Sequence, residues 1–88
     1  MNQNQHYDIN KVFNLLIHLS GLSNDIDKLI KLIKLKTGHE VSSNQIRNWR
    51  RSQNTRLYKR VPGFALDTVF DYMFEVKKKT GSFFEEDH

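Results

Sequence analysis

The chain has 88 residues, of which 38% are hydrophobic and 11% aromatic, and it contains no cysteine. This length allows one small domain, and the apolar content suffices for a folded core. The missing cysteine excludes disulfides, thiolate metal sites and cysteine nucleophiles. No apolar run approaches the ~18 residues of a membrane span, and no signal peptide is visible. We expect a cytoplasmic protein without membrane contact, with a flexible N-terminus (1–6), one helical domain (7–81) and an acidic C-terminal tail (82–88).

The positive charge is concentrated in one part of the chain. Fourteen Lys and Arg against ten Asp and Glu give a net charge of +4. No acidic residue lies between Glu40 and Asp67, a stretch that holds six basic side chains: Arg47, Arg50, Arg51, Arg56, Lys59 and Arg60. Such a block attracts polyanions over about one Debye length, ~8 Å in physiological salt. Its alternative role is a solvated surface that keeps a small domain soluble.

Apolar residues at helical spacing predict an all-α fold, a compact domain of four helices near 9–20, 23–37, 42–53 and 62–80. The first helix is apolar on most faces and is therefore expected to be mostly buried. Ser23 or Asn24 is expected to cap the second helix, and Ser42 with Gln45 forms a capping box for the third. Pro62 is expected in the first turn of the fourth helix. Glycines suited to helix C-termini follow the first, second and fourth helices: Gly21, Gly38 and Gly81.

The apolar stripes of two helices are well marked. In the second helix the stripe is Ile26, Leu29, Ile30 and Ile33, broadened by Leu32 and Leu35. In the fourth helix it is Leu66, Val69, Phe70, Met73 and Val76. Both follow the spacing of a helix that buries one face.

The second and third helices, joined by a turn that contains glycine, have the outline of a helix-turn-helix. At about 100° per residue, Ile46, Trp49 and Gln53 form an inward seam on the third helix. Its outer face carries four side chains that suit base edges in a major groove: Asn44, Arg47, Asn48 and Arg51. Four neighbouring cations suit phosphates: Arg50, Arg56, Lys59 and Arg60. The pattern favours a small regulatory protein that binds DNA through residues 42–53 and the following basic loop.

Other functions fit the same residues. RNA is a second nucleic-acid partner. A non-enzymatic interaction module, an adaptor or inhibitor, could instead dock its basic face on an acidic protein. Trp49 is expected in the core, with base stacking as its alternative.

The sequence does not predict an enzyme, a metal site or a cofactor. His18 is expected to be a partly buried histidine of the first helix. His39 lies beside Glu40 without a nucleophile. The carboxylates at i, i+4 spacing in the fourth helix are expected to be solvated or to pair with basic residues: Asp67, Asp71 and Glu75. There is no glycine-rich phosphate loop and no histidine spacing for zinc.

Several segments resemble the module of the bacterial YehS family. They are Asn10-Lys11-Val12 through Gly38-His39-Glu40-Val41-Ser42, then Ile46-Arg47-Asn48-Trp49-Arg50, Tyr58, Leu66 and Val69-Phe70. The resemblance covers residues 8–76 and implies a helical module of unsettled molecular function. The chain departs from the family pattern at Val61-Pro62-Gly63, where a Cys-x-Asp motif is usual, and at Tyr72, where a glycine is usual. Family members resemble two modules in tandem, so we expect two copies of this chain to pair as a homodimer.

Overall fold

The computed structural model describes residues 8–81, which contain four α-helices and no strand. The helices are α1 (Ile9–Leu19), α2 (Ile26–Thr37), α3 (Ser43–Trp49) and α4 (Gly63–Thr80), with a 3-10 turn at Leu22–Asn24. The predicted all-α fold of four helices is confirmed. Among the described residues, no helix combines the length and apolarity needed to cross a bilayer. The acidic tail predicted at 82–88 and the N-terminal segment 1–6 lie outside the described residues.

The start of α2 differs from the expectation. The helix begins at Ile26, and Asp25 caps it by accepting a hydrogen bond of 3.1 Å from the backbone N–H of Lys28. The expected caps, Ser23 and Asn24, belong instead to the 3-10 turn. An aspartate side chain at the N-cap satisfies a free N–H of the first turn, so it competes with the two earlier polar residues.

The starts of α3 and α4 follow the predicted chemistry more closely. Ser42 Oγ accepts from the Gln45 N–H at 3.1 Å, and Gln45 Oε1 accepts from the Ser42 N–H at 2.8 Å. This reciprocal pair is the predicted capping box. Pro62 occupies the N-cap of α4 rather than its first turn, so the helix begins at Gly63.

The turn between α2 and α3, residues 38–42, is fixed at its start and braced by α4. Gly38 has φ +80°, and its N–H donates to the Lys34 carbonyl at 2.9 Å. This left-handed conformation favours glycine, as predicted, and Gly21 and Gly81 adopt it too. His39 stacks on Phe64 of α4 with ring centroids 3.9 Å apart.

The core lies between α4, α2 and α1, with α3 packed against α2. Its most deeply buried apolar side chains are Phe13, Ile17, Leu22, Leu29, Ile33, Ile46, Ala65 and Val69. Trp49 is 5% exposed and meets Phe13 edge to face, with ring centroids 5.8 Å apart. Its predicted place in the core is confirmed, and this aromatic pair joins α3 to α1.

The first helix is less buried than expected. Leu15 is 55% exposed, Leu19 is exposed, and His18, expected to be partly buried, is exposed as well. The reason is that α1 packs mainly against α4 and the 3-10 turn and touches α3 only at its end, so one stripe of its apolar surface is covered. The prediction of a mostly buried first helix was wrong.

The stripes of α4 and α2 are also narrower or displaced. In α4, Phe70 is 45% exposed, while Thr68 and Tyr72 are buried beside Val69. The buried face of α4 is therefore centred on Val69 and Val76, and Phe70 lies at its edge. In α2, Leu35 is 79% exposed and adds nothing to the core.

Candidate nucleic-acid interface

The predicted recognition helix is shorter than expected, because α3 ends at Trp49 rather than near residue 53. In a continuing helix the carbonyls of Asn48 and Trp49 would accept from N–H groups four residues ahead. Here the Asn48 carbonyl accepts from the Lys59 N–H at 3.2 Å, and the Trp49 carbonyl accepts from Asn10 Nδ2 at 2.8 Å. Partners far along the chain thus terminate the helix and close its last turn.

Asn10 holds the segment that follows α3. This side chain is 3% exposed. Its Nδ2 also donates to the Lys59 carbonyl at 2.7 Å, and its Oδ1 accepts from the Val61 N–H at 3.0 Å. One buried amide therefore ties α1 to the end of α3 and to the far end of residues 50–62, which we call the basic loop.

The basic loop has turns of its own between these anchors. The Thr55 N–H donates to the Ser52 carbonyl at 2.9 Å, and the Tyr58 N–H donates to the Thr55 carbonyl at 3.0 Å. Gln53 lies in this loop and is exposed, so its predicted place on the inward seam of α3 was wrong. The seam consists of Ile46 and Trp49, both buried.

An open groove of about 550 Å³ runs between α1, the start of α2 and α3. Its lining residues are Asn14, Ile26, Ser43, Ile46, Arg47, Arg50 and Arg51. We call it the arginine groove, because three of these residues are arginines and none is acidic. Its volume lies in the range of about 300–1,000 Å³ that is usual for ligand sites.

Two of the three arginines are held by asparagine side chains. Arg50 Nε donates to Asn14 Oδ1 at 2.8 Å, and Arg51 Nε donates to Asn48 Oδ1 at 2.9 Å. An arginine has five N–H donors, so four remain on each guanidinium after this bond. These contacts restrict the side chains without neutralising their charge.

The basic residues from Arg47 to Arg60 make no ion pair with carboxylates of residues 8–81. The ion pairs described in that range join α2 lysines to the turn and to α4: Lys34 with Glu40, and Lys36 with Asp71. The hydrogen bond from Lys34 lowers the pKa of Glu40 below its ordinary value. The hydrogen bond with Asp71 raises the pKa of Lys36. The expectation that acidic residues of the fourth helix pair with basic ones is met at Asp71.

A second groove, of about 390 Å³, lies on the other side of Arg50 and Arg51. It shares Asn14 with the arginine groove but is also lined by Asp8, whose carboxylate caps α1. Because the Asp8 carboxylate repels anions, the arginine groove is better suited to bind an anion than this second groove.

The structure brings together some of the predicted contact residues and separates others. Arg47, predicted for bases, lines the arginine groove with Arg50 and Arg51. Asn44 is exposed near the start of α3, outside that groove, whereas Asn48 is half-buried and engaged by Arg51. The remaining predicted phosphate contacts are exposed on the basic loop and do not line the groove: Arg56, Lys59 and Arg60. Arg51 itself lies beyond the end of α3, so the helical angle assigned to it does not apply.

Sequence reasoning missed Asn10 and Asn14, which position the basic loop and Arg50. Their spacing of four residues within an apolar helix was a usable signal. Asparagine is a poor interior helix residue, and a buried amide needs hydrogen-bond partners. Two such residues on an apolar helix therefore indicate polar groups arriving from elsewhere in the chain.

No protein-family model, curated protein or solved structure matches this chain. The resemblance to the YehS family accordingly stays a prediction.

Proposed function

We propose that this protein is a small DNA-binding regulator whose contact surface is the arginine groove, the exposed side of α3 and the basic loop. The observation that supports this most strongly is the convergence of Arg47, Arg50 and Arg51 on one groove without a carboxylate. A concave surface lined by charges of one sign concentrates the field that draws in a polyanion. The guanidinium group also matches phosphate oxygens and guanine edges in shape.

The order of α2, a short turn and α3 supports a helix-turn-helix mode of docking for this surface. In helix-turn-helix proteins the second helix enters the major groove, and residues in its N-terminal part contact base edges. Here Asn44 lies in that part of α3, Arg47 follows in its last turn, and both are exposed. The cations of the basic loop follow directly and supply backbone contacts, which set position rather than sequence preference.

The test is fluorescence anisotropy with labelled duplexes, titrated between about 50 and 200 mM salt. A double variant, Arg47→Gln with Arg51→Gln, removes two charges from the arginine groove. The matched control, Lys78→Gln with Lys79→Gln, removes two exposed charges near the end of α4. We expect the groove variant to bind about a hundredfold more weakly, from two contacts of ~1–3 kcal/mol each. The control should lose at most a few-fold.

Either of two results would count against the proposal. If the groove variant binds as tightly as the wild type, these arginines do not contact DNA. If both double variants lose the same affinity, binding depends on net charge rather than on the groove. RNA of the same sequence, added as competitor, separates DNA binding from RNA binding.

One observation favours a second function, docking on an acidic protein. A groove of about 440 Å³ between α2 and α4 has apolar Leu32 and Leu35 in its lining, with Lys28, Lys36 and Lys79 among its edges. Glu75 also lines it. An acidic segment with apolar residues is complementary to such a surface. A pull-down that still recovers a protein partner after nuclease treatment, and loses it in Leu35→Ser, supports this function. Co-purifying nucleic acid removed by nuclease supports DNA binding.

A further inference from the structure

We propose that Arg50 and Arg51 form a pre-oriented phosphate site at the C-terminal end of α3, with Asn14 and Asn48 as positioning residues. This inference deepens the proposed function, because the phosphate it assigns to the site belongs to the DNA backbone. It also changes two expected roles. Arg51 and Asn48, expected to contact bases, become a phosphate ligand and the residue that orients it.

The hydrogen bonds to Nε determine which side of each guanidinium faces a ligand. With Nε of Arg50 bound to Asn14, and Nε of Arg51 bound to Asn48, the terminal Nη groups remain for the ligand. Two parallel N–H donors on one guanidinium match two oxygens of a phosphate. Both arginines line the same groove, so their free ends serve one concave surface.

The position of these arginines along the chain favours the DNA backbone over the bases. Arg50 is the C-cap of α3, and Arg51 follows it outside the helix. When a recognition helix contacts bases through its N-terminal part, its far end lies toward the sugar-phosphate backbone. Arg47 lies three residues before Arg50, within the last turn of α3, and remains available for a base edge.

The carbonyl groups at the C-terminal end of α3 are hydrogen bonded, which weakens their repulsion of an anion bound there. Carbonyls at a helix C-terminus carry partial negative charge, which repels phosphate. The carbonyls of Asn48 and Trp49 are both hydrogen bonded, to the Lys59 N–H and to the Asn10 amide. The basic loop thus covers those oxygens and adds the side chain of Lys59, which is exposed.

The first experiment measures the positioning effect on DNA affinity. We compare Asn14→Ala and Asn48→Ala with Asn54→Ala, an exposed asparagine whose side chain makes no hydrogen bond with residues 8–81. Affinities are measured on duplexes that differ by single base pairs, after circular dichroism has shown that each variant is folded. Each positioning variant should bind about three- to tenfold more weakly on every duplex, since a freed side chain must be ordered on binding. The Asn54→Ala variant should match the wild type.

Sequence preference distinguishes the proposed role from a base contact. Loss of a base contact changes the ranking of the duplexes, whereas loss of phosphate orientation lowers all affinities alike. Replacing Arg51 by Gln should also reduce the slope of log K against log salt by about 0.9, the value for one phosphate. Unchanged affinity in Asn14→Ala and Asn48→Ala, or an altered ranking in Arg51→Gln, would overturn the inference.

The second experiment separates this inference from the DNA proposal. Arginine Nε–Hε resonances are followed by NMR while inorganic pyrophosphate, and in parallel a short duplex, is added. Shifts of Arg50 and Arg51 with both ligands support the site and its DNA source. Shifts with pyrophosphate alone keep a free-phosphate site and refute the DNA function. If neither ligand moves these resonances, while those of Arg56 move with DNA, the phosphate site is refuted and DNA binding stands.

Discussion

Replacing Asn10 by alanine tests the structural basis of the proposed DNA-binding surface, because this one side chain satisfies three backbone groups. The substitution leaves the Trp49 carbonyl, the Lys59 carbonyl and the Val61 N–H without their partner. The bonds to Trp49 and Val61 are buried, whereas the one to Lys59 is partly buried and water can replace it. A buried polar group left unsatisfied costs ~1–3 kcal/mol, so two of them cost about 2–6 kcal/mol.

Thermal unfolding followed by circular dichroism measures this loss. For a domain of this size 1 kcal/mol corresponds to a Tm change of about 4–8 °C, so Asn10→Ala should lower Tm by at least about 8 °C. The matched control is Asn14→Ala, which removes one exposed hydrogen bond from the same helix. That bond contributes about 1 kcal/mol or less. Equal Tm values for the two variants would refute the claim that Asn10 anchors the basic loop.

The isosteric variant Asn10→Asp tests the same anchor through the pH dependence of stability. In Asn10→Asp the acceptor for the Val61 N–H is kept, but an ionised oxygen faces the carbonyls of Trp49 and Lys59. Burial and this repulsion raise the folded pKa of the new carboxyl above its unfolded value, about 3.9. The folded state then binds a proton more tightly than the unfolded state, so stability falls as pH rises between the two pKa values. We expect the deficit relative to wild type to be larger at pH 7 than at pH 4, whereas the deficit of Asn10→Ala should change little.

Three further expectations follow from other parts of the fold. Gly38→Ala should destabilise the fold by about 1 kcal/mol, since φ is +80° at this position. Gly63→Ala should stabilise the fold by ~0.4–1 kcal/mol, because the added Cβ meets no atom within 4 Å. Urea unfolding that shows a change of the same sign for both variants would contradict this. In an NMR titration the pKa of the Glu40 carboxyl should lie below 4.5 and return toward that value in Lys34→Gln. In the wild type the ion pair is lost as pH falls through the lowered pKa. An unchanged titration in the variant would show that Lys34 is not the cause. The apolar side chains exposed on α1 and α4 favour the predicted homodimer, with twice the chain mass of 10.5 kDa in light scattering; a single-chain mass at tens of micromolar would contradict it.

Local sequence signals predicted the helices well where the deciding contacts are local. The capping box at Ser42 and the glycines after three helices depend on neighbours within a few residues, and both predictions are confirmed. The inward positions of Ile46 and Trp49 also follow from spacing alone. The same reasoning brought Arg47 to the exposed side of α3.

The end of α3 could not be predicted in this way. It is set by Asn10, which lies 39 residues before Trp49, and by Lys59, which lies in the loop beyond the helix. No local residue marks the stop, since the segment after Trp49 contains neither glycine nor proline until Pro62. Because the helix ends early, the positions predicted for Gln53 and Arg51 around the helix axis do not apply. Sequence reasoning therefore identified the charged residues around α3 but not the geometry of the segment that carries Arg51.

The most direct test of DNA binding by the arginine groove is a map of backbone amide shifts while a duplex is added at low salt. We expect the largest changes on α3, on Asn14 of α1 and on the basic loop, with little change along α4. Changes centred on the groove between α2 and α4, or no change at all, would contradict the claim that the arginine groove binds DNA.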